Sequence, residues 1–185
     1  MINVNDFKTG VTIKVDGNIF TVLEFQHVKP GKGPAFVRTK LKNLRTGATI
    51  DYTFNAGIKV ETAMIVKMPM QFLYAEGNKF NFMNMNDYSQ LEVDKSNLED
   101  EVKYLKENLD VDMIFYEGEI IGVLLPDKIE MEIIHTEPAV KGNTANNAMK
   151  NATLETGYEI KVPLFIDNNE KILISTKDGK YVSRA

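Results

Sequence analysis

Short alternating stretches, each cut off after a few residues by a turn signal, restrict this chain more than any other feature. Val11-Thr12-Ile13-Lys14-Val15 alternates apolar and polar residues and runs directly into Asp16-Gly17. A period of two turns one face to a core and the other to water, and an Asp-Gly pair is a hairpin turn. The rhythm recurs over residues 19–25, 35–41 and 48–54, with Arg45-Thr46-Gly47 turning the chain between the last two. Residues 71–74 and 79–83 flank Ala75-Glu76-Gly77-Asn78, and residues 111–116 and 120–125 flank Glu117-Gly118. Further strands are predicted at 129–135, 158–166, 171–175 and 181–183, around a long polar loop from 137 to 157. One segment breaks the pattern. Ser96-Asn97-Leu98-Glu99 has capping-box spacing, and Leu98, Val102, Leu105 and Leu109 follow at helical intervals, predicting an amphipathic helix over 97–108. The whole reads as a mostly β chain of small barrels, in three modules near 1–64, 65–127 and 128–185. Each module is small enough to be marginally stable alone.

Charge separates these modules. The net charge is −4, yet residues 1–64 carry nine Lys/Arg against five Asp/Glu. Residues 65–127 carry five against thirteen, and residues 128–185 eight against eight. Residues 25–50 contain no acidic side chain, whereas Lys29, Lys32, Arg38, Lys40, Lys42 and Arg45 all fall there. Alternation places Arg38, Lys40 and Lys42 on one exposed face. A local cationic surface on an acidic protein suits selective contact with a polyanion, because the acidic part suppresses indiscriminate binding. On charge alone, a solvated strand face is the simpler account. Between two of the strands lies Lys29-Pro30-Gly31-Lys32-Gly33-Pro34. Proline fixes φ and glycine frees it, so this is a loop with stiff ends and a permissive tip, centred on Lys32.

Signs of catalysis are missing. There is no cysteine, so disulfides and thiolate metal sites are excluded. His27 and His135 stand far apart without metal spacing, and no metal site is expected. Glu99, Asp100, Glu101 and Glu107 read as a solvated helix face, and Asp87 and Asp94 as caps. Gly31-Lys32-Gly33 lacks the glycine spacing and the Ser/Thr of a phosphate-binding P-loop, and no nucleophile elbow surrounds any serine. No apolar run reaches the length of a membrane span, and Met1-Ile2-Asn3-Val4-Asn5-Asp6 lacks the regions of a signal peptide. The expectation is a soluble, intracellular, non-enzymatic protein without cofactor. A general single-strand-binding module is the main rival, but it predicts basic and aromatic residues interleaved over several strands rather than gathered in one module.

Three stretches, taken in order, resemble the bacterial elongation factor P family. Val28-Lys29-Pro30-Gly31-Lys32-Gly33-Pro34-Ala35-Phe36-Val37-Arg38 is similar to its modified-lysine loop, with Arg45-Thr46-Gly47 at the family's usual distance. Lys150, Ala152, Gly157, Ile160, Val162 and Pro163 match its C-terminal signature, and the chain closes with Tyr181-Val182-Ser183-Arg184, also typical. The resemblance implies a KOW-like barrel followed by two OB-type barrels in a tRNA-like outline. It implies a monomeric cytoplasmic factor that binds the ribosome between the peptidyl-tRNA and exit sites and relieves stalling at consecutive prolines. Its partners are then ribosomal RNA, peptidyl-tRNA and a Lys32-modifying enzyme, with no membrane.

By the same resemblance, Lys32 is the modification site, framed by Pro30, Gly31, Gly33 and Pro34. Lysine in this position carries β-lysyl or 5-aminopentanol groups in the family, and Pro34-Ala35 resembles the Gram-positive variants that point to 5-aminopentanol. RNA contacts are expected from Lys29, Arg38, Lys40, Lys42 and Arg45, from the Gly142-Asn143-Thr144 loop near the messenger codon, and from Tyr181 and Arg184. Two positions depart from the family. Asn143 replaces the usual aspartate, which puts a specific codon contact in doubt, and Asn169 stands where the signature has glycine.

Overall fold

The computed structural model describes residues 1–139 and 148–185. Three sheets follow one another along the chain. The first is built from β1 (Ile2–Asn3), β2 (Thr12–Val15), β3 (Asn18–Val28), β4 (Phe36–Asn43), β5 (Thr49–Asn55) and β6 (Lys59–Thr62). Their order is β1-β6-β2-β3-β4-β5. Asp16 and Gly17 both take positive φ, 50° and 77°, which gives the type I′ turn that matches strand twist. The register of β3 against β4 shifts between Val22 and Glu24, and such a bulge bends a strand so that a sheet can curl. Inside the curl, Val37 and Leu41 of β4 are fully buried with Ile13, Val22 and Phe54. Each such side chain contributes about 1.5–3 kcal/mol by leaving water. Phe7 meets Phe54 edge to face at 5.6 Å, and the buried Thr39 hydroxyl donates to the Tyr52 carbonyl at 2.6 Å.

The second sheet comprises β7 (Ile65–Glu76), β8 (Lys79–Asn84), β9 (Gln90–Asp94), β10 (Asp110–Tyr116) and β11 (Glu119–Leu124), ordered β11-β10-β7-β8-β9. Glu117 and Gly118 repeat the type I′ geometry at φ 49° and 80°. The helix predicted over 97–108 does not form. Instead Asp94 accepts from the Ser96 amide at 3.0 Å and starts a 3-10 turn at Lys95–Asn97, and a second such turn covers Val102–Tyr104. The Val102 amide bonds the Leu98 carbonyl with α spacing, but the Tyr104 and Leu105 amides fall back to the tighter i→i−3 spacing. Asn97, Asp100 and Asn108 compete poorly for a helix, and Asn108 takes φ 65° so that Leu109 can join the ladder beside Phe72. Leu98, Tyr104, Leu105 and Leu109 are buried, so the helical spacing of apolar residues anchors an irregular connection.

The third sheet is formed by β12 (Lys128–Thr136), β13 (Met149–Leu154), β14 (Glu159–Pro163), β15 (Lys171–Ser175) and β16 (Tyr181–Arg184), ordered β14-β13-β12-β15-β16. β13 lies inside the segment expected to be a loop from 137 to 157. Its core-facing residues are Lys150, Ala152 and Leu154, too polar and too small to give an apolar alternation. By packing, the chain divides into two compact units, Met1–Lys67 with Ile114–Gly122, and Met68–Met113 with Val123–Ala185. Within the first unit, a Cβ on Gly122 would stand 2.6 Å from the Leu44 carbonyl oxygen.

Candidate nucleic-acid interface

The loop centred on Lys32 joins β3 to β4, and its base is closed where Val28 pairs with Phe36. One foot is tied further, since the Ala56 amide donates to the Ala35 carbonyl at 3.0 Å. Residues 29–34 are all exposed. Gly33 takes φ +102°, a conformation that side chains rarely adopt, although the space around it is open. Lys32 makes no ion pair with any described residue, so its cation stands at the end of a braced hairpin.

Behind the loop, β4 carries Arg38 exposed and Lys40 and Lys42 half-buried, alternating with Val37, Thr39 and Leu41 in the core. Cross-strand neighbours decide what each cation presents. Arg38 lies between Gln26 and Thr53, and its guanidinium rests 5.9 Å from the Phe36 ring centre. Lys42 lies between Thr21 and Thr49. Lys40 is different, with Glu24 on one side at 3.9 Å and Asp51 opposite on the other. Both carboxylates flank the acid-free tract in sequence, and only the strand register brings them onto the face. Arg45 projects from the β4–β5 turn, exposed, its amide held by the Asn43 side chain at 2.8 Å. Lys29, Lys32, Arg38, Lys42 and Arg45 therefore form the uncompensated set.

The remaining expected contacts lie elsewhere. Gly142, Asn143 and Thr144 fall outside the described residues. Tyr181 is half-buried in β16. Arg184 is partly committed already. Its Nε donates to Glu170 at 3.0 Å, its Nη2 donates to the Phe165 carbonyl at 3.1 Å, and the group lies 4.9 Å from the Phe165 ring centre. Lys150, singled out in sequence only as part of a signature, is 5% exposed. No sequence signal marks a buried lysine, because β13 itself was not visible there.

Among the described residues no group of three or more His, Asp or Glu could hold a metal ion. The displaced acidities have local causes. The Ser89 hydroxyl and amide lower Asp87, the Ser96 amide lowers Asp94, and the Asn151 side chain lowers Glu137. Burial raises Glu101 and Tyr104. Asp94 thus serves as the cap expected of it, whereas Asp87 closes a turn with Ser89 ahead of β9 and caps no helix.

Comparison with known proteins bears on the whole length. The description "Elongation factor P (EF-P) KOW-like domain" matches residues 3–60, "Elongation factor P (EF-P) OB domain" residues 65–123, and "Elongation factor P, C-terminal" residues 129–184. The chain is 61% identical over 185 residues to elongation factor P of Onion yellows phytoplasma (strain OY-M), covering 100% of this chain and 98% of that one. It is 52% identical to elongation factor P of Moorella thermoacetica, with 100% of both chains covered. Among solved structures, a translation initiation factor eIF-5A family protein from Naegleria fowleri aligns with TM-score 0.51 and 15% identity, over 67% of this chain and 96% of that chain, a likeness of fold alone.

Proposed function

The chain belongs to the bacterial elongation factor P family, and we propose from this that it binds the ribosome between the peptidyl-tRNA and exit sites and relieves stalling at consecutive prolines. The observation carrying the reading is Lys32, an exposed cation without an ion pair among the described residues, at the tip of a hairpin loop braced at its base. The factor performs no bond chemistry of its own. Proline is a sluggish nucleophile because its ring restricts approach, and the ribosome already supplies the reaction site. A helper then needs only to hold the 3′ end of peptidyl-tRNA in a reactive pose. A tenfold gain in rate requires about 1.4 kcal/mol off the barrier. A long cation reaching from a rigid hairpin suits that task, and Lys29, Arg38, Lys42 and Arg45 behind it suit the phosphates of the acceptor stem and ribosomal RNA.

In this reading the three sheets act as three barrels, bounded near residues 64 and 127, in a monomeric cytoplasmic protein. Lys32 is extended by a modifying enzyme with a 5-aminopentanol group. A mass shift of the Lys32 peptide corresponding to β-lysine instead would replace that group. The functional test is translation of a Pro-Pro-Pro message against a proline-free control in a purified bacterial system. Protein from its native host and the Lys32→Ala variant are compared. Acceleration confined to the proline message and lost in the variant is expected. Full stimulation by Lys32→Ala would end the role of the tip, and RNA binding without proline rescue would favour a general RNA-binding module.

A further inference from the structure

Lys150 occupies a core-facing position on β13, where its neighbours in phase are Ala152 and Leu154 and its cross-strand partner is Val162. It is 5% exposed, and its side chain reaches an open cleft of about 540 Å³. A lysine buried this deeply is costly unless its charge is answered. The only bond it makes among the described residues is a long one, 3.5 Å, to the Thr136 hydroxyl oxygen. That hydroxyl is itself fixed, because Asn168 Oδ1 accepts from both the Thr136 amide at 2.7 Å and the Thr136 hydroxyl at 3.1 Å. The hydroxyl proton is thereby spent on Asn168, leaving a lone pair for Lys150. An ammonium has three donors, so two are left unused among the described residues. No described carboxylate forms an ion pair with Lys150. Residues 140–147, Val-Lys-Gly-Asn-Thr-Ala-Asn-Asn, contain no acidic side chain that could do so.

The cleft also selects the kind of anion. Pro138 and Leu164 line it with apolar surface, and Glu137 and Asp167 contribute the negative charge. Glu137 is engaged elsewhere, with its two oxygens accepting from the Asn151 amide at 3.2 Å and the Asn151 side chain at 2.9 Å. Two carboxylates beside the cleft repel any anion, a dianion about twice as strongly as a single charge, so the group that the Lys150 ammonium can hold there carries one charge. A group with one negative charge, several acceptor oxygens and apolar substituents meets all of these conditions. We propose that the Lys150 cleft, organised by Thr136 and Asn168, is a binding site for one phosphodiester group, supplied by an RNA backbone. The RNA source rests on the ribosomal reading above, whereas the phosphodiester site does not.

Two arms separate the site from its source. In the first, amide spectra of the full chain are followed by NMR during titration with dimethyl phosphate. Saturable shifts at Thr136, Lys150 and Asn168 are expected, lost in Lys150→Met and weakened in Thr136→Val. Absence of a saturable shift in the unaltered protein overturns the site without any variant having to fold. Equal shifts in a folded Lys150→Met protein overturn it as well. In the second arm, ribosome binding is measured against salt. Lys150→Met should weaken binding and flatten the log–log slope by roughly 0.7–0.9, the loss of one phosphate contact. Weaker binding at unchanged slope would mark Lys150 as structural there. A dimethyl phosphate response with unaltered ribosome binding would keep the site and remove RNA as its source. Failure of the unaltered protein to bind ribosomes would strike the ribosomal reading and leave the first arm standing.

Discussion

Arg38 and Lys40 stand two residues apart on β4 and project to the same side, yet they present different charge to a polyanion. Arg38 has the neutral Gln26 and Thr53 across from it, while Lys40 sits between Glu24 and Asp51. An exposed ion pair adds little stability, but it lowers the net charge that a phosphate meets. Arg38→Ala is therefore expected to weaken ribosome binding several-fold and to flatten its salt slope by about 0.9. Lys40→Ala should change both much less, and equal losses from the two would show that the register does not govern the face. Glu101 gives a second prediction at this scale. Burial, aided by the charge of Asp100, raises its carboxyl above the ordinary 4.5. A raised acid holds its proton more tightly in the folded state. Its contribution is then complete below about 4.5 and is lost as pH rises through the folded value. Glu101→Gln should raise the melting temperature at neutral pH and give no such gain at pH values under the ordinary carboxylate range. A pH-independent difference between the two proteins would remove burial of the charge as the cause.

At the scale of elements, the hairpins were legible and the exceptions share a cause. Asp16-Gly17 and Glu117-Gly118 need positive φ at both positions, a demand written in the residue types themselves. Pro30, Gly31, Gly33 and Pro34 marked the Lys32 loop, because proline fixes φ and glycine frees it, and Gly33 uses that freedom at φ +102°. β13 escaped notice because Lys150 and Ala152 take core positions that ordinarily hold larger apolar side chains. The segment after Asp94 misled in the opposite direction. Leu98, Leu105 and Leu109 carry a helical spacing, but the bonds among them are mostly of the tighter 3-10 kind. Periodicity records which residues are buried, not which backbone path buries them. Gly122 was silent for a further reason, since its role is a close approach between segments distant in sequence. Its missing Cβ leaves room for the Leu44 carbonyl, and Leu44 is pinned by its own amide bond to the Ile19 carbonyl at 3.0 Å. A backbone oxygen held in this way cannot yield like a flexible side chain. Gly122→Ala should cost about 1–3 kcal/mol, typical of overpacking. Thermal melts would show it, and an unchanged melting temperature would mean that β11 moves freely away from Leu44.

Across the whole molecule, the charge distribution fits the proposed role, in which affinity for RNA is modest and directed. The chain carries net −4, with the excess of acid concentrated in residues 65–127 and the excess of base in residues 1–64. A general RNA binder would spread its cations, and each phosphate it neutralised would steepen the dependence of binding on salt. Here the uncompensated cations of β4, its preceding loop and its following turn are Lys29, Lys32, Arg38, Lys42 and Arg45. If all five meet phosphates, the slope of log K against log salt should lie between about −3.5 and −4.5, at about 0.7–0.9 per contact. The Lys150 cleft would add roughly one more unit. The acidic stretch works against the same interaction on RNA of arbitrary shape, because like charges raise the energy of every orientation that brings them close. Binding to an unstructured RNA oligonucleotide should therefore be much weaker than binding to ribosomes at the same salt. Comparable affinities for the two would mean that the acidic stretch imposes no selection. A ribosome slope near −1 would mean that the cationic face is not where the protein meets RNA.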